Sequence, residues 1–267
     1  MLYTLKLSRQ LSAERNRPEV IQRRQAYAQW FLREANLNHT IFIDECGFNI
    51  RTARNHGRSE RGDRAYRQVW GQRGRNITWC LAISPVFGLV HHIIQMGGMN
   101  EESSNNFLMN IRQHLDAHGI HNLIFDGAPL QRIAERRPQT RTRMSKCTPF
   151  LNIVEQAISC VKANIKADLS SPQLQNLMGD RNAARNAQLP LGEYRKQLLV
   201  AAARRSLGCI TVPKCEAWFR LMQTYLPRCL AGDMIEGWIR FKYMKCTLYV
   251  FWIFDSSCHC VFFYIYI

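Results

Sequence analysis

Three carboxylates lie in local settings that suit metal chemistry. Asp44 follows the apolar run Thr40–Ile43, and Asp126 follows the apolar run Asn122–Phe125. Glu155 lies near the start of a helical pattern. Ligands at the ends of neighbouring strands converge in a crevice at one edge of a sheet. Mg²⁺ and Mn²⁺ prefer such oxygen ligands, and a pair of these ions promotes phosphoryl displacement. The pattern therefore indicates a site that cuts or joins phosphodiester bonds.

Each of the three acids also has a plainer interpretation. Asp44, followed by Glu45, is compatible with an exposed strand end. The run DGAP at residues 126–129 is rich in turn-forming residues. Glu155 stands three residues after Asn152, the spacing of a helix capping box. The three acids favour a metal site only when taken together, in this order, after two strands and on a helix.

The charge of the chain predicts an anionic partner. The 267 residues include 36 Lys and Arg against 20 Asp and Glu, which gives a formal net charge of +16. Nucleic acid is the first candidate, because Arg and Lys neutralise its phosphates. A membrane surface is the weaker alternative, since no basic amphipathic helix stands out.

Two segments concentrate this charge. Residues 51–76 are rich in Arg and Gly, and we interpret them as a phosphate-contacting loop, the alternative being a solvated loop. Residues 155–166 place lysines on the helix face that carries Glu155, which is otherwise an ordinary solvated face. The predicted DNA-contacting side chains are Arg54, Arg58, Arg61, Arg73, Arg75, Lys162 and Lys166.

The pattern of the chain predicts an α/β domain. We expect strands at residues 39–48 and 122–125, and a hairpin of residues 77–84 and 89–95 joined through Pro85–Gly88. Asn100 is a candidate helix cap, with Leu108, Ile111 and Leu115 on the buried side of its helix. An apolar stripe at helical spacing follows at Leu151, Val154, Ile158, Val161 and Ile165. Residues 170–240 are mostly helical in composition.

Two further features concern the cell environment. The ten cysteines include no C-x-x-C pair, so we expect reduced thiols in an intracellular protein. Residues 246–267 are apolar and long enough to span a bilayer, which takes about 20 residues. Asp255 in the middle of that segment would cost about 2.5–3.5 kcal/mol there. We therefore favour a tail outside the domain over a membrane span.

Three segments in order resemble the D-D-E transposases of the mariner superfamily and their bacterial insertion-sequence relatives. The first is FIDECGFN at residues 42–49, followed by GRSERG at 57–62 and RGRN at 73–76. The second is IFDGAP at residues 124–129, and the third is TPFLNIVE at residues 148–155. The resemblance covers roughly residues 35–235.

The resemblance implies a ribonuclease-H-like fold, a mixed sheet flanked by helices. It implies an enzyme that cleaves DNA strands and transfers them in cut-and-paste transposition, with Asp44, Asp126 and Glu155 as the catalytic, metal-binding triad. The expected cofactors are two Mg²⁺ or Mn²⁺ ions, and the expected partners are transposon ends and target DNA. A homodimer is left open.

Some features of the chain depart from the family pattern, and they support an alternative to an active transposase. Residues 1–38 are too short for paired helix-turn-helix domains, so we expect a helical linker, a remnant of a DNA-binding region. The catalytic domain is then expected at 39–235 and the tail at 236–267. Leu130 and Gln131 stand where the family often has a His nearby. The alternative is therefore an inactive DNA-binding remnant or a recruited host protein of the same fold. We expect a nuclear location in a eukaryote and a cytoplasmic one in a bacterium.

Overall fold

A five-stranded mixed sheet is the centre of the part of the chain that the structure describes. In this computed structural model the described residues are 13–35, 40–52, 59–64, 66, 76–116, 122–125, 141–144 and 148–236. The strands are β1 Thr40–Phe48, β2 Ile77–Ser84, β3 Gly88–Met96, β4 Asn122–Phe125 and β5 Arg141–Met144. Their order across the sheet is β3-β2-β1-β4-β5.

Strand directions follow from the lengths of the connections. The three-residue turn at Pro85–Phe87 joins β2 to β3 as an antiparallel hairpin, as predicted. Gly88, which follows that turn, has a φ of +73°, a conformation that favours glycine. β1 pairs antiparallel with β2 and parallel with β4, and β4 pairs parallel with β5. Longer segments connect the parallel strands, as parallel pairing requires.

The helices cover both faces of the sheet. Their bounds are α1 Pro18–Glu34, α2 Glu101–Asp116, α3 Val154–Leu169, α4 Pro172–Gly179, α5 Arg181–Asn186, α6 Leu191–Ser206, α7 Val212–Gln223 and α8 Leu226–Ala231. Short 3₁₀ turns at Pro149–Leu151 and Leu207–Cys209 precede α3 and follow α6. The predicted stripe of α3 is buried throughout.

Side-chain alternation along β1 divides the core in two. Phe42, Cys46 and Phe48 belong to the larger cluster, which includes the buried stripe of α3 and residues of α1, α6, α7 and α8. Ile41 and Ile43 belong to the smaller cluster, which includes Phe107 and Ile111 of α2. Odd-numbered and even-numbered residues of β1 thus face different helices, because successive side chains of a strand point to opposite faces.

Helix α2 begins and packs almost as the sequence indicates. The Asn100 carboxamide oxygen accepts a hydrogen bond from the Ser103 N–H at 2.8 Å, which confirms the predicted cap. Ser104, Phe107 and Ile111 are its fully buried residues among those whose side chains are described, and Leu108 is half-buried against the same cluster. Ile111 is therefore confirmed on the buried side, Phe107 is added to it, and the side chain of Leu115 lies outside the described ones.

Helix α1 is packed on the same core as the rest of the domain. Phe31 is buried, and its ring centroid lies 6.1 Å from that of Phe219 in α7. The Asn16 side chain accepts hydrogen bonds from Arg24 at 3.1 Å and from the Ile235 N–H at 3.1 Å. The first and last described segments are therefore tied together. The domain limits at residues 38 and 235 stay predictions.

The C-terminal tail falls beyond the described residues, which end at Glu236. Among the residues that are described, no helix is both long enough and apolar enough to cross a membrane. Residues 246–267, for which a membrane span was the weaker alternative, lie outside this part of the chain.

The packing of α1 predicts a large difference between two adjacent substitutions. Phe31 is 3% exposed and Leu32 is 56% exposed. Phe31→Ala is expected to lower the free energy of unfolding by about 3–5 kcal/mol, and Leu32→Ala by less than about 0.5 kcal/mol. Urea denaturation of the full chain measures both. Equal, small losses would show that α1 is a loosely attached linker.

Candidate metal centre

Asp44 lies within strand β1 rather than at its end. The strand continues to Phe48, and Asp44 pairs with Leu81 of β2. The prediction of a strand-end aspartate is therefore corrected: the apolar run stops at Ile43, but pairing with β2 carries the strand four residues past Asp44 to Phe48. The carboxylate is half-buried, and its Oδ1 accepts a hydrogen bond from the Glu45 N–H at 2.7 Å.

The alternation of β1 sets which face each acid occupies. Asp44 shares its face with Phe42 and Cys46, the face that packs against α3. Glu45 belongs to the opposite set of side chains and pairs across strands with Cys80, which lies in the cluster with α2. Two adjacent carboxylates are thereby directed to different sides of the sheet, and only Asp44 is directed to α3.

Glu155 is positioned by the turn that begins α3. The Val154 N–H donates to the Asn152 side-chain oxygen at 3.2 Å, so Asn152 does stabilise the start of the helix. The Asn152 N–H donates to the Pro149 carbonyl at 3.2 Å. A capping box would need that same N–H to donate to the glutamate. The capping-box interpretation is therefore wrong for Glu155, whose carboxylate is left for another role.

Cys46 lies on the Asp44 face of β1, in the core cluster that includes the stripe of α3, and α3 contacts β1. Burial raises the pKa of the Cys46 thiol to about 11. The charge of Lys162 lowers this pKa, and the charges of Asp44, Glu155 and Glu45 raise it. Cys46 belongs to no motif that would single it out in the sequence. The signal was its position two residues after Asp44, which places both on one strand face.

The Glu155 carboxylate is held in a setting that disfavours its charge. Burial raises its pKa above the ordinary value, and Lys162 partly offsets this. Lys162 follows Glu155 by seven residues, two helical turns along one face of α3. A half-buried acid of this kind gains more from a bound cation than a fully solvated one does.

The described residues hold only part of the predicted site. Lys162 and Lys166 are half-buried on α3, and Arg61 is exposed between β1 and β2. Within the described ranges, His, Cys, Asp and Glu side chains form no group of three or more that would hold a metal ion. The predicted site residues that lie outside those ranges are Asp126, Arg54, Arg58, Arg73 and Arg75.

Comparison of the sequence with protein families identifies the class. Residues 39–178, more than half of the chain, match the model of the DDE superfamily endonucleases. The chain belongs to this family, which confirms the resemblance noted from its three motifs. A search of the curated proteins finds no match.

Solved structures with the same fold include several of Mos1 transposase. The Mos1 strand transfer complex has 12% sequence identity and a TM-score of 0.61, covering 90% of this chain and 68% of that one. A pre-cleavage Mos1 transpososome has 13% identity and a TM-score of 0.59, covering 90% and 69%. The catalytic domain of Mos1 mariner transposase has 10% identity and a TM-score of 0.52, covering 86% and 100%. The ribonuclease-H-like fold is thereby confirmed.

The raised pKa of Glu155 predicts how stability depends on pH. The folded protein holds this proton more tightly than the unfolded chain, so the free energy of unfolding falls as pH rises from below 4.5 through the folded-state pKa. Glu155→Gln removes that charge. Without added metal it should raise the thermal unfolding midpoint at about pH 7, and leave it unchanged at about pH 4.

The matched control is Glu193→Gln, which also changes a glutamate in the first turn of a helix. Glu193 is 41% exposed and pairs with Lys196 at 2.9 Å, so its replacement should bring a small loss of stability or none. A loss of stability on Glu155→Gln at about pH 7 would contradict the assigned electrostatic setting.

Proposed function

We propose that this protein is a transposase that cleaves DNA strands and transfers them in cut-and-paste transposition, using divalent metal ions. The observation that carries the proposal is the placement of two acids on elements in contact: Asp44 lies on the β1 face that packs against α3, and Glu155 lies in the first turn of α3. Membership of the DDE superfamily endonucleases supplies the class of chemistry.

The third acid of the proposed site is Asp126. Its inclusion is supported by the register of the parallel pair, in which Phe125 at the end of β4 pairs with Ile43 of β1. Asp126 and Asp44 are the next residues in the sequence after these two partners. We propose that the three carboxylates form one catalytic site.

The donor set fits Mg²⁺ or Mn²⁺. All three proposed ligands offer carboxylate oxygens, which both ions prefer, and burial of Glu155 favours a cation beside it. One of the similar structures is the Mos1 transposase catalytic domain with Raltegravir and Mn. When bound, such ions stabilise the attacking and leaving oxygens of an in-line phosphoryl displacement.

The chain's own groups then have separate tasks. The Glu45 N–H restrains one oxygen of Asp44, so the carboxylate meets the site in a fixed orientation. Lys162 supplies a positive charge on the same helix face as Glu155, suited to a phosphate of the DNA backbone. The buried residues beside the acids, Cys46 among them, limit access of water from the sheet side.

The proposed partners are transposon-end DNA and target DNA. The similar Mos1 structures include a strand transfer complex and a paired-end complex with a transposon end. By analogy we propose that this chain also binds DNA ends, as a homodimer. A nuclear location in a eukaryote, or a cytoplasmic one in a bacterium, follows from that role.

Strand cleavage tests the catalytic assignment. Asp44→Asn, Asp126→Asn and Glu155→Gln are each expected to lower Mn²⁺-dependent nicking of supercoiled plasmid by at least about 100-fold, because outer-shell partners of metal ligands alone cost 10- to 100-fold. Conversion of supercoiled to relaxed plasmid on a gel gives the rate.

Glu45→Gln is the matched control, since Glu45 is adjacent to Asp44 but belongs to the opposite face of β1. It should keep most of the nicking rate. Metal-independent nicking, or equal rates in all four variants, would leave an inactive DNA-binding protein as the better description.

Salt dependence tests the contribution of the α3 lysines to DNA binding. Lys162→Gln and Lys166→Gln should each weaken binding to duplex DNA of any sequence and lower the slope of log affinity against log salt by about 1. Fluorescence anisotropy over a salt series measures this. Lys196→Gln is the control, because its ammonium group is already 2.9 Å and 3.1 Å from the two Glu193 oxygens. Equal slopes in all variants would contradict phosphate contacts from α3.

A further inference from the structure

A pair of half-buried cysteines lies on the side of α3 away from Glu155. Cys160 is on α3, and Cys209 is the last residue of the 3₁₀ turn that follows α6. Helix α3 contacts this 3₁₀ turn, and the two thiols interact across the contact although they are far apart in the sequence. The fold has therefore brought two thiols together without a C-x-x-C motif.

The surroundings of the two thiols differ. The Lys214 ammonium group of α7 lies 3.8 Å from the Cys160 sulfur. This contact places a positive charge directly beside the Cys160 sulfur. Burial and then the adjacent Cys160 thiol raise the pKa of Cys209 to about 11, with Asn164 and Lys214 acting in the opposite direction. Because the ammonium group contacts the sulfur of Cys160, we assign Cys160 as the attacking thiol and Cys209 as the thiol that reacts second.

The neighbouring cysteines are too buried to compete with Cys160 and Cys209 for an oxidant. Cys215 lies near Cys209 but is fully buried, and burial raises its pKa to about 11. Cys46 and Cys80 are also buried, in the two sheet clusters. Of the described cysteines, Cys160 and Cys209 are the two that are not buried.

We propose that Cys160 and Cys209 are a peroxide-responsive dithiol that forms a reversible disulfide between α3 and the turn after α6. The Cys160 thiolate attacks one oxygen of hydrogen peroxide, the O–O bond breaks, and hydroxide leaves as water after taking a proton. The Cys209 sulfur then attacks the sulfenic acid of Cys160, the S–O bond breaks, and a second water leaves with the Cys209 proton. Two thiols lose two electrons, and one peroxide gains them.

This site is separate from the proposed DNA chemistry, and its tests read out thiol chemistry alone. The crosslink would join the helix that carries Glu155 to the corner between α6 and α7. A disulfide that closes so long a loop stabilises the folded state. The unfolding midpoint should therefore be higher after peroxide treatment than after subsequent reduction with dithiothreitol.

Peptide mapping of the full chain tests the assignment. Hydrogen peroxide, followed by alkylation and digestion without reductant, should yield a peptide pair joined through Cys160 and Cys209, lighter by two hydrogen atoms and separated by dithiothreitol. Alkylation of both residues after peroxide, or a bond from Cys209 to Cys215, would overturn the proposal.

Two variants test the order of events. In Cys209→Ser, Cys160 should accumulate as a sulfenic acid that dimedone captures, and failure to label Cys160 would contradict its role as the attacking thiol. Lys214→Gln removes the ammonium group that lies 3.8 Å from the Cys160 sulfur and should slow formation of the disulfide. Lys196→Gln is the control and should keep the original rate. Equal rates in both would exclude activation by Lys214.

Discussion

Strand β1 has a hydrogen-bonded neighbour on each side, β2 antiparallel and β4 parallel, and this pairing fixes the direction of its side chains. A strand held on both edges cannot slip by one residue without moving its apolar set to the wrong face. Phe42, Cys46 and Phe48 are buried against the helices on one side, and Ile41 and Ile43 against α2 on the other. Asp44 is directed to α3 by the same constraint.

The hydrophobic core therefore carries out the positioning that the chemistry needs. Helix α3 is held by Val154, Ala157, Ile158, Val161 and Ile165, all of them buried. Glu155 and Lys162 lie beside this stripe and Cys160 lies about 140° round the helix from Glu155. Helix α3 thus has three sides with different neighbours. One side packs in the core, one faces Asp44, and one faces Cys209. Burial of Glu155 beside these groups disfavours its charged form, and for this reason its pKa is raised.

The local elements could be predicted from the sequence because their signals are local. The limits of β2 and β4, the hairpin, the Asn100 cap and the stripe of α3 all rest on patterns within a few residues. The strand at residues 39–48 was predicted as well, but the position of Asp44 inside it was not recognised, because its pairing with Leu81 of β2 is a contact between distant segments. The hydrogen bond from the Asn152 N–H to Pro149, which excludes the capping box, depends on the 3₁₀ turn before α3.

Contacts between distant segments account for what the sequence could not reveal. The approach of Asp44 and Cys46 to the helix that carries Glu155 depends on α3 packing across β1, and the approach of Cys160 to Cys209 depends on the path of α6. Type and spacing identified the acids because a metal site needs particular side chains in a particular order of elements. A thiol pair has no such requirement, since any two segments that the core brings together can form one. For this reason the proposed metal site could be predicted from motifs, while the dithiol could be found only in the folded chain.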